Sequence, residues 1–240
     1  MEQQQRDYYA QTAALYDSMH LRPGDEHFVG LEYVAALLHA VRARSVLDVG
    51  SGTGRAVKFL RQRRPDLQVE GVEPVEALRA QALAHGIVLH EANGEGLPFD
   101  KGSFDVVISS GMMHHVPDPA RVISEMTRVA RSAVMISDTN RFGQRSKAVG
   151  VVKMVIYHAG LWSTMEWVRT RGRGYMLSPG DGIFYSYSIF DSVRQLQAWA
   201  NTVFIIPTMP QRKAVLPQLG VPHGLLVACR EPSGPDWAGF

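Results

Sequence analysis

Short runs of β-branched residues alternate with helical patterns along the chain, and this alternation limits the fold more than any other feature. The runs lie at 45–50, 67–73, 86–90, 104–110, 132–138, 202–207 and 224–229. Strands that alternate with helices predict an α/β fold with a doubly wound, mostly parallel sheet, here of seven strands, and helices on both faces. Ligands of such a sheet bind at the carboxyl ends of the strands.

The chain of 240 residues is predicted to form one domain, since no repeat or long linker divides it. Residues 1–44 are expected to form N-terminal cap helices, and residues 45–140 the ligand-binding core. Residues 141–187 interrupt the alternation and carry aromatic residues, arginines and glycines, so we expect an inserted lid over the substrate site. Residues 188–232 are expected to add a closing helix and strands.

Composition narrows the classes of function. A net charge of +2, from 25 lysines and arginines against 23 acidic residues, gives little support for a nucleic-acid partner. The single cysteine cannot form an internal disulfide. The N-terminus is polar from its first residue, and the longest apolar stretch, 148–162, is too short to span a bilayer. We therefore expect a cytoplasmic protein without a membrane span.

The most specific motif is VLDVGSGTG at 46–54, where a buried strand ends in the carboxylate of Asp48 and continues into a glycine-rich turn. Glycines permit positive φ and let a ligand lie against bare backbone, and the following helix start favours an anionic group. In a dinucleotide fingerprint, G-x-G-x-x-G, the last glycine allows the helix to pack closely on the strand. Counted from Gly50, that position is occupied by the bulky Arg55. A nicotinamide-dependent oxidoreductase is therefore the less favoured alternative.

Polar residues also follow the next two predicted strands. Glu73 ends the second strand, and an acid there can accept hydrogen bonds from both hydroxyls of a ribose. Asn93, Gly94 and Glu95 follow the third strand, where an amide and free backbone can contact an adenine edge. Any one of them alone could be a plain surface residue. Their order at the ends of successive strands predicts a nucleoside-binding site.

Together these motifs resemble class I S-adenosylmethionine-dependent methyltransferases, in particular the small-molecule group that includes the ubiquinone and menaquinone C-methyltransferases. VLDVGSGTG matches the first family motif and VEGVEP the acidic second motif. ANGEGLPFDKGSFDVVISSGMMHHVPDP matches the adenine loop and the fourth strand. The resemblance covers residues 8–140, is weaker over 188–230, and includes no shared motif across 141–187. Asn93 departs from the family, which usually has aspartate there.

The resemblance implies S-adenosylmethionine as cofactor and assigns its contacts by position. Asp48 is expected to help hold the methionine amino group, and the backbone of Gly50, Ser51 and Gly52 to surround the amino-acid part. Glu73 is expected to bind the ribose. The other implied contacts come from a helix that closes over the cofactor, the end of the second strand, the adenine loop and the end of the fourth strand: Tyr16, Pro74, Asn93, Gly94, Glu95, Ser109, Ser110 and Gly111.

Methyl transfer from a sulfonium requires an aligned nucleophile and exclusion of water, and a carbon or alcohol nucleophile also needs a base. His115, just beyond the fourth strand, is the candidate catalytic base, because histidine titrates near neutrality. It could equally bond backbone and shape the pocket, and His114 is the weaker candidate. A magnesium-assisted mechanism through 138–140 is disfavoured, because the fourth strand ends in 109–111 without the carboxylate of metal-dependent catechol-type enzymes. We therefore predict no metal ion.

The inserted segment is expected to hold the methyl acceptor, since the cofactor occupies the core. Trp162, Tyr185 and Tyr187 are the candidate substrate contacts, because aromatic rings offer apolar walls with polar tips. The arginines of 169–173 could pair with a phosphate or carboxylate, although a solvated loop is the simpler interpretation. Residues 180–182, Gly-Asp-Gly, predict a tight turn or hinge.

The predicted function is therefore metal-independent methylation of a small molecule at O, N or C by a monomer or homodimer. A non-catalytic module that keeps the cofactor-binding fold stays an alternative. RNA methylation is disfavoured by the weak net charge and the lack of an added basic domain.

Overall fold

The computed structural model describes residues 8–9, 11–12, 24–144, 146–178, 182–210, 214 and 216–230. Two predictions fall outside these residues: the cofactor contact Tyr16, and Gly180 and Asp181 of the expected hinge. Within the predicted N-terminal cap helices, the backbone is helical at 8–9 and 11–12.

Helices and strands alternate through the core as the sequence predicts. The helices are α1 (Glu26–Ala40), α2 (Arg55–Arg63), α3 (Glu76–Ala84), α4 (Pro119–Val129), α5 (Lys147–His158), α6 (Trp162–Arg169), α7 (Val193–Trp199) and α8 (Pro217–Gly220). The strands are β1 (Ser45–Val49), β2 (Gln68–Val72), β3 (Phe104–Ser110), β4 (Ala130–Thr139), β5 (Met176–Ser178), β6 (Gly182–Phe184), β7 (Thr202–Pro207) and β8 (His223–Cys229). Two 3-10 turns span Met113–His115 and Ile189–Ser192.

The main sheet has the strand order β2-β1-β3-β4-β8-β7. β2, β1, β3 and β4 are parallel, whereas β8 runs antiparallel to β4 and β7 antiparallel to β8. The predicted doubly wound, mostly parallel α/β sheet is therefore confirmed. Its carboxyl edge collects the ends of β1, β2, β3 and β4, where the sequence places the polar residues.

The strand number differs from the prediction: among the described residues the main sheet has six strands, not seven. The run at 86–90 forms a single parallel bridge between Val72 and His90. Ile87 and Leu89 are buried against the core, but Val88 is 70% exposed. The run thus packs through two apolar side chains at the sheet edge and pairs only through its last residue.

The sheet separates two apolar layers. Val46 of β1 packs in one layer with residues of α1 and α2, whereas its neighbour Leu47 packs in the other with residues of α4 and α7. This is the alternation expected of a strand buried on both faces. The two layers fix β1 in place, and with it the turn that follows.

The inserted segment contains α5, α6 and the β5–β6 hairpin, and Asn140 fastens both of its ends. The Asn140 side-chain amide donates hydrogen bonds of 2.6 Å to the carbonyls of Gln218 and Val221. Its Oδ1 accepts from the Phe142 amide and from the Ser188 hydroxyl, the latter at 2.8 Å. One buried side chain therefore joins the start of the insertion, its end and the α8 region.

Candidate functional site

The glycine-rich turn after β1 uses backbone conformations that favour glycine. Gly50 has φ of 76° and Gly52 has φ of 56°, both in the left-handed region. The amides of Gly50 and Ser51 both donate to the carbonyl of Val72 at the end of β2. The turn is therefore held against the neighbouring strand, and its backbone lines the carboxyl edge of the sheet.

Glu73 connects this turn to the end of β2. Its Oε2 accepts from the Gly52 amide and its Oε1 from the Val75 amide, both at 2.9 Å. The Arg79 guanidinium lies nearby but donates to the Glu73 backbone carbonyl at 2.8 Å. Burial raises the pKa of Glu73 from 4.5 to about 7. The protein thus holds a carboxylate under a desolvation penalty that hydroxyl donors of a ligand would relieve.

Asp48 lies beneath the turn and is 1% exposed. Burial raises its pKa from 3.8 to about 6. Within the described residues its Oδ2 has no hydrogen-bond partner. A buried acceptor of this kind, close to the glycine turn, suits an ammonium group.

A cavity of about 140 Å³ lies at the carboxyl edge, and many predicted cofactor contacts line it. These are Gly50, Glu73, Pro74, Asn93, Gly94, Glu95, Ser110 and Gly111. Asp48, Ser51, Gly52 and Ser109 are not among the lining residues, and all four are buried. The sequence therefore brings the expected residues together, partly as cavity wall and partly as support.

Sequence reasoning missed the apolar wall of this cavity. Val75 and Leu78, at the start of α3, and Met112, after β3, line it. Met112 lies so close to Gly50 that a Cβ built on the glycine would be 2.4 Å from the Met112 Cγ. Their positions in the sequence could have indicated this wall. Val75 and Leu78 follow Pro74 at helical spacing, and Met112 follows the Ser110-Gly111 segment.

A larger cavity of about 870 Å³ opens between the core and the insertion. All three predicted substrate contacts line it: Trp162, Tyr185 and Tyr187. Tyr187 is buried, and its hydroxyl lies 2.6 Å from the Ser192 hydroxyl, so it serves mainly as wall. Burial also raises the pKa of Tyr187 above its ordinary value.

The larger cavity also has a histidine wall that the sequence did not reveal. His27 of α1 and His223 of β8 line it, with ring centroids 5.0 Å apart. Burial lowers the pKa of His27 to about 3 and also lowers that of His223. Both imidazoles are therefore neutral near pH 7.

The two cavities meet at a shared boundary. The residues that line both are Tyr9, Ser110, Gly111, His115 and Tyr185. A group bound in the smaller cavity therefore lies beside a molecule in the larger one at these residues. This boundary is the candidate site of chemistry.

His115, the predicted base, occupies the boundary. Its Nδ1 lies 2.7 Å from the Ile183 carbonyl oxygen, which can only accept, so Nδ1 carries the proton. Its Nε2 lies 3.2 Å from the Tyr9 hydroxyl. His115 therefore bonds backbone, as one interpretation of this residue predicts. It also faces both cavities, as a catalytic base would have to.

The neighbouring His114 lines the larger cavity and is held by a buried carboxylate. Its Nδ1 lies 2.7 Å from Oδ1 of Asp138, and the Asp138 Oδ2 accepts from the Met113 amide at 2.9 Å. Burial alone would raise the pKa of Asp138. The positive charge of protonated His114 and the hydrogen bond between the two side chains outweigh burial and hold the pKa of Asp138 below its ordinary value. Asp138 therefore stays ionised and keeps the proton of His114 on Nδ1.

The residues considered for magnesium are engaged in other bonds. Asp138 holds His114 and the Met113 amide, and Asn140 fastens the insertion. In the part of the chain that the structure describes, no group of three or more histidine, cysteine, aspartate or glutamate residues is arranged to hold a metal ion. In the same residues, no helix is both long and apolar enough to cross a membrane.

Comparison with known proteins agrees with this geometry. Residues 47–136 match the family model described as a methyltransferase domain. An uncharacterized methyltransferase of Mycobacterium sp. (strain JLS) is 44% identical over 89 residues, which are 37% of this chain and 35% of the relative. This chain therefore spans about a third of the length of that curated relative.

Solved structures share the fold across nearly the whole chain. An S-adenosylmethionine-dependent methyltransferase from Thermotoga maritima superposes with a TM-score of 0.59, at 18% identity, over 94% of this chain and 99% of the other. Magnesium protoporphyrin IX methyltransferase from Synechocystis gives a TM-score of 0.58, at 16% identity, over 94% of each chain. At these identities the likeness concerns the fold. Together, the fold and the matched core are similar to those of class I methyltransferases.

Proposed function

We propose that this protein transfers a methyl group from S-adenosylmethionine to a small-molecule acceptor. The observation that carries the proposal is the meeting of two cavities at Ser110, Gly111 and His115. One cavity carries the features of a nucleoside site, and the other is bounded by the insertion. The boundary between them is where a donor methyl and an acceptor would come into line.

The smaller cavity and the glycine turn beside it support a cofactor site on three counts. The buried Glu73 carboxylate lines the cavity and suits the two ribose hydroxyls. The Oδ2 of Asp48, buried beneath the turn, suits the amino group. Asn93 Oδ1 accepts from the Glu95 amide at 3.0 Å, so the Asn93 Nδ2 is the group that would donate to an acceptor on adenine. A donor to adenine at this position is consistent with asparagine, where the family usually has aspartate.

When bound, S-adenosylmethionine would supply an activated methyl group on its sulfonium: an acceptor atom in line with the carbon–sulfur bond would bond to the methyl carbon, and the electron pair of the broken bond would stay on sulfur. The chain must hold the acceptor in that line and exclude water. The cavity of about 870 Å³ has room for a small organic molecule between Trp162, Tyr185 and the histidine wall. The acceptor atom can be O, N or C.

We assign the general base to His114 rather than to His115. Asp138 fixes the proton of His114 on Nδ1 and stabilises the imidazolium that forms when Nε2 takes the acceptor proton. His115 has its Nδ1 on a backbone carbonyl and its Nε2 beside Tyr9, an arrangement that orients the boundary. Both side chains touch the acceptor cavity.

The first test measures cofactor binding by calorimetry with the demethylated product, S-adenosylhomocysteine. Gly52→Val is expected to abolish binding, because a side chain at this buried position with φ of 56° would displace the turn whose amide donates to Glu73. Gly86→Val is the matched control, since Gly86 has φ of 76° but open space around its Cβ position. Equal affinity in the wild type and Gly52→Val would refute the cofactor site.

The second test concerns methyl transfer. The protein is incubated with S-adenosylmethionine and the low-molecular-weight fraction of a cell extract, and acceptor-dependent release of S-adenosylhomocysteine is measured by mass spectrometry. With an alcohol or carbon acceptor, His114→Gln is expected to lower kcat by a factor of about a hundred or more while product affinity is unchanged. A large loss in His115→Gln and none in His114→Gln would overturn the assignment of the base.

A further inference from the structure

The insertion presents an apolar surface that nothing in the described residues covers. On α5, Val151, Val152 and Val155 are 47%, 57% and 63% exposed. Their spacing of one, three and four residues places them on one face of the helix. Leu161, Trp167 and Val168, at and within α6, are 56%, 64% and 62% exposed. These six residues are called the apolar insertion surface below.

Packing inside the insertion turns this surface outward. Gly150 of α5 is buried, and a Cβ there would lie 2.5 Å from the Phe142 carbonyl oxygen. Tyr157 of α5 and Trp162 of α6 approach edge to face, and the Arg141 guanidinium lies over both rings. The inner side of α5 therefore faces the buried Phe142 and Arg141, and its valines lie on the outer side, the reverse of an ordinary surface helix.

Charge around the insertion is strongly one-sided. Residues 141–178 contain seven of the 25 lysines and arginines but one of the 23 acidic residues, which leaves 18 basic against 22 acidic residues elsewhere. Lys147, Arg171 and Arg173 are exposed. The single acidic residue, Glu166, is paired with Arg169 at 2.6 Å. The apolar insertion surface thus lies on the basic part of an otherwise acidic chain.

We propose that the apolar insertion surface docks on an anionic lipid bilayer and lies in its interface. Exposed valine, leucine and tryptophan side chains bury apolar area at the acyl boundary, and flanking lysine and arginine residues are attracted to anionic headgroups. A symmetric contact with a second copy would bring the same basic segment against itself, which charge repulsion opposes. This inference rests on the insertion alone and does not depend on the proposed methyl transfer.

The test is sedimentation of the full chain with vesicles, once with phosphatidylcholine alone and once with added phosphatidylglycerol. We expect binding to the anionic vesicles that weakens as ionic strength rises, and little binding to the neutral ones. The double variant V152Q/V155Q is expected to lower the partition coefficient at least tenfold. K147Q/R171Q is expected to lower it about fivefold for each charge removed.

A matched control separates docking from general loss of apolar surface. L83Q/V88Q changes two residues that are 61% and 70% exposed but lie outside the insertion, and it is expected to bind like the wild type. Unfolding curves of all variants check that they fold. The proposal would be overturned if the wild type failed to bind anionic vesicles or bound both vesicle types equally. It would also be overturned if L83Q/V88Q lost as much vesicle binding as V152Q/V155Q. So would a wild-type dimer in sedimentation velocity that V152Q/V155Q converts to a monomer without vesicle binding.

Discussion

Replacing Glu73 with glutamine is expected to change how the stability of the cofactor-free protein depends on pH. Burial raises the pKa of Glu73 from 4.5 to about 7, so between these values the folded protein binds a proton that the unfolded chain has released. Stability of the wild type therefore falls as pH rises through this window. At about 1.4 kcal/mol for each pH unit, the loss amounts to about 3 kcal/mol.

The pH dependence isolates this ionisation from the other effects of the substitution. In Glu73→Gln one of the two backbone donors, the Gly52 or the Val75 amide, faces the new side-chain NH2 group, which costs about 1–3 kcal/mol at every pH. This cost shifts the whole curve and leaves its slope unchanged. The free energy of unfolding of Glu73→Gln minus that of the wild type is therefore expected to rise by about 3 kcal/mol between pH 4.5 and 7.

The measurement is urea unfolding, followed by circular dichroism, at a series of pH values and without cofactor. Glu76→Gln is the control, because it makes the same substitution three residues away at an exposed position. The rise of about 3 kcal/mol is expected in Glu73→Gln and not in this control. Parallel pH profiles of Glu73→Gln and the wild type would refute the conclusion that Glu73 is ionised at an energetic cost.

Three further predictions concern the acceptor site, metal dependence and the insertion's attachment. Trp162→Ala and Tyr185→Ala are expected to impair acceptor turnover in kinetic assays, and full turnover in variants with normal melting temperatures would contradict a substrate role. Because Trp162 lines the larger cavity and not the smaller one, Trp162→Ala is also expected to leave S-adenosylhomocysteine affinity within about threefold by calorimetry. Turnover is expected to be unchanged by a chelator, and its loss with recovery on added magnesium would contradict this. Gly143→Ala is expected to lower the free energy of unfolding by about 2 kcal/mol or more in urea, because its Cβ would lie 2.2 Å from the Val221 carbonyl oxygen. Unchanged stability would show that the backbone after α8 moves aside freely.

The cofactor side of the site could be predicted because it follows from strand order. β1 and β2 are parallel neighbours in register, with Val49 opposite Val72, so the turn after one strand must meet the residue after the other. With glycines in the turn after β1 and a carboxylate directly after β2, few arrangements of the turn against the carboxylate are possible. Tyr16, by contrast, was assigned from resemblance alone, and that assignment stays a prediction.

The choice between adjacent histidines could not be made from sequence. His114 and His115 lie in a 3-10 turn, where successive side chains point about 120° apart, so neighbours in sequence face different partners. One reaches Asp138 at the end of β4, and the other reaches the Ile183 carbonyl in the β5–β6 hairpin. These partners are 24 and 68 residues away along the chain, so the tertiary fold sets the contacts of each histidine, and which of the two is the base stays a prediction.

Helical periodicity also leaves open which face of a helix is buried, and α5 shows why. Its valines at helical spacing would ordinarily be placed against the core. The buried position is instead Gly150, whose missing side chain lets the helix approach the Phe142 carbonyl closely. The inner side is thus filled by the Phe142 carbonyl and by Leu219, whose Cδ2 would lie 2.8 Å from a Cβ on Gly150, and Lys153 donates from the helix to the Arg141 carbonyl at 2.7 Å. Because these groups leave no room for larger side chains on that side, the valines of α5 face outward, and periodicity alone would have placed them inward.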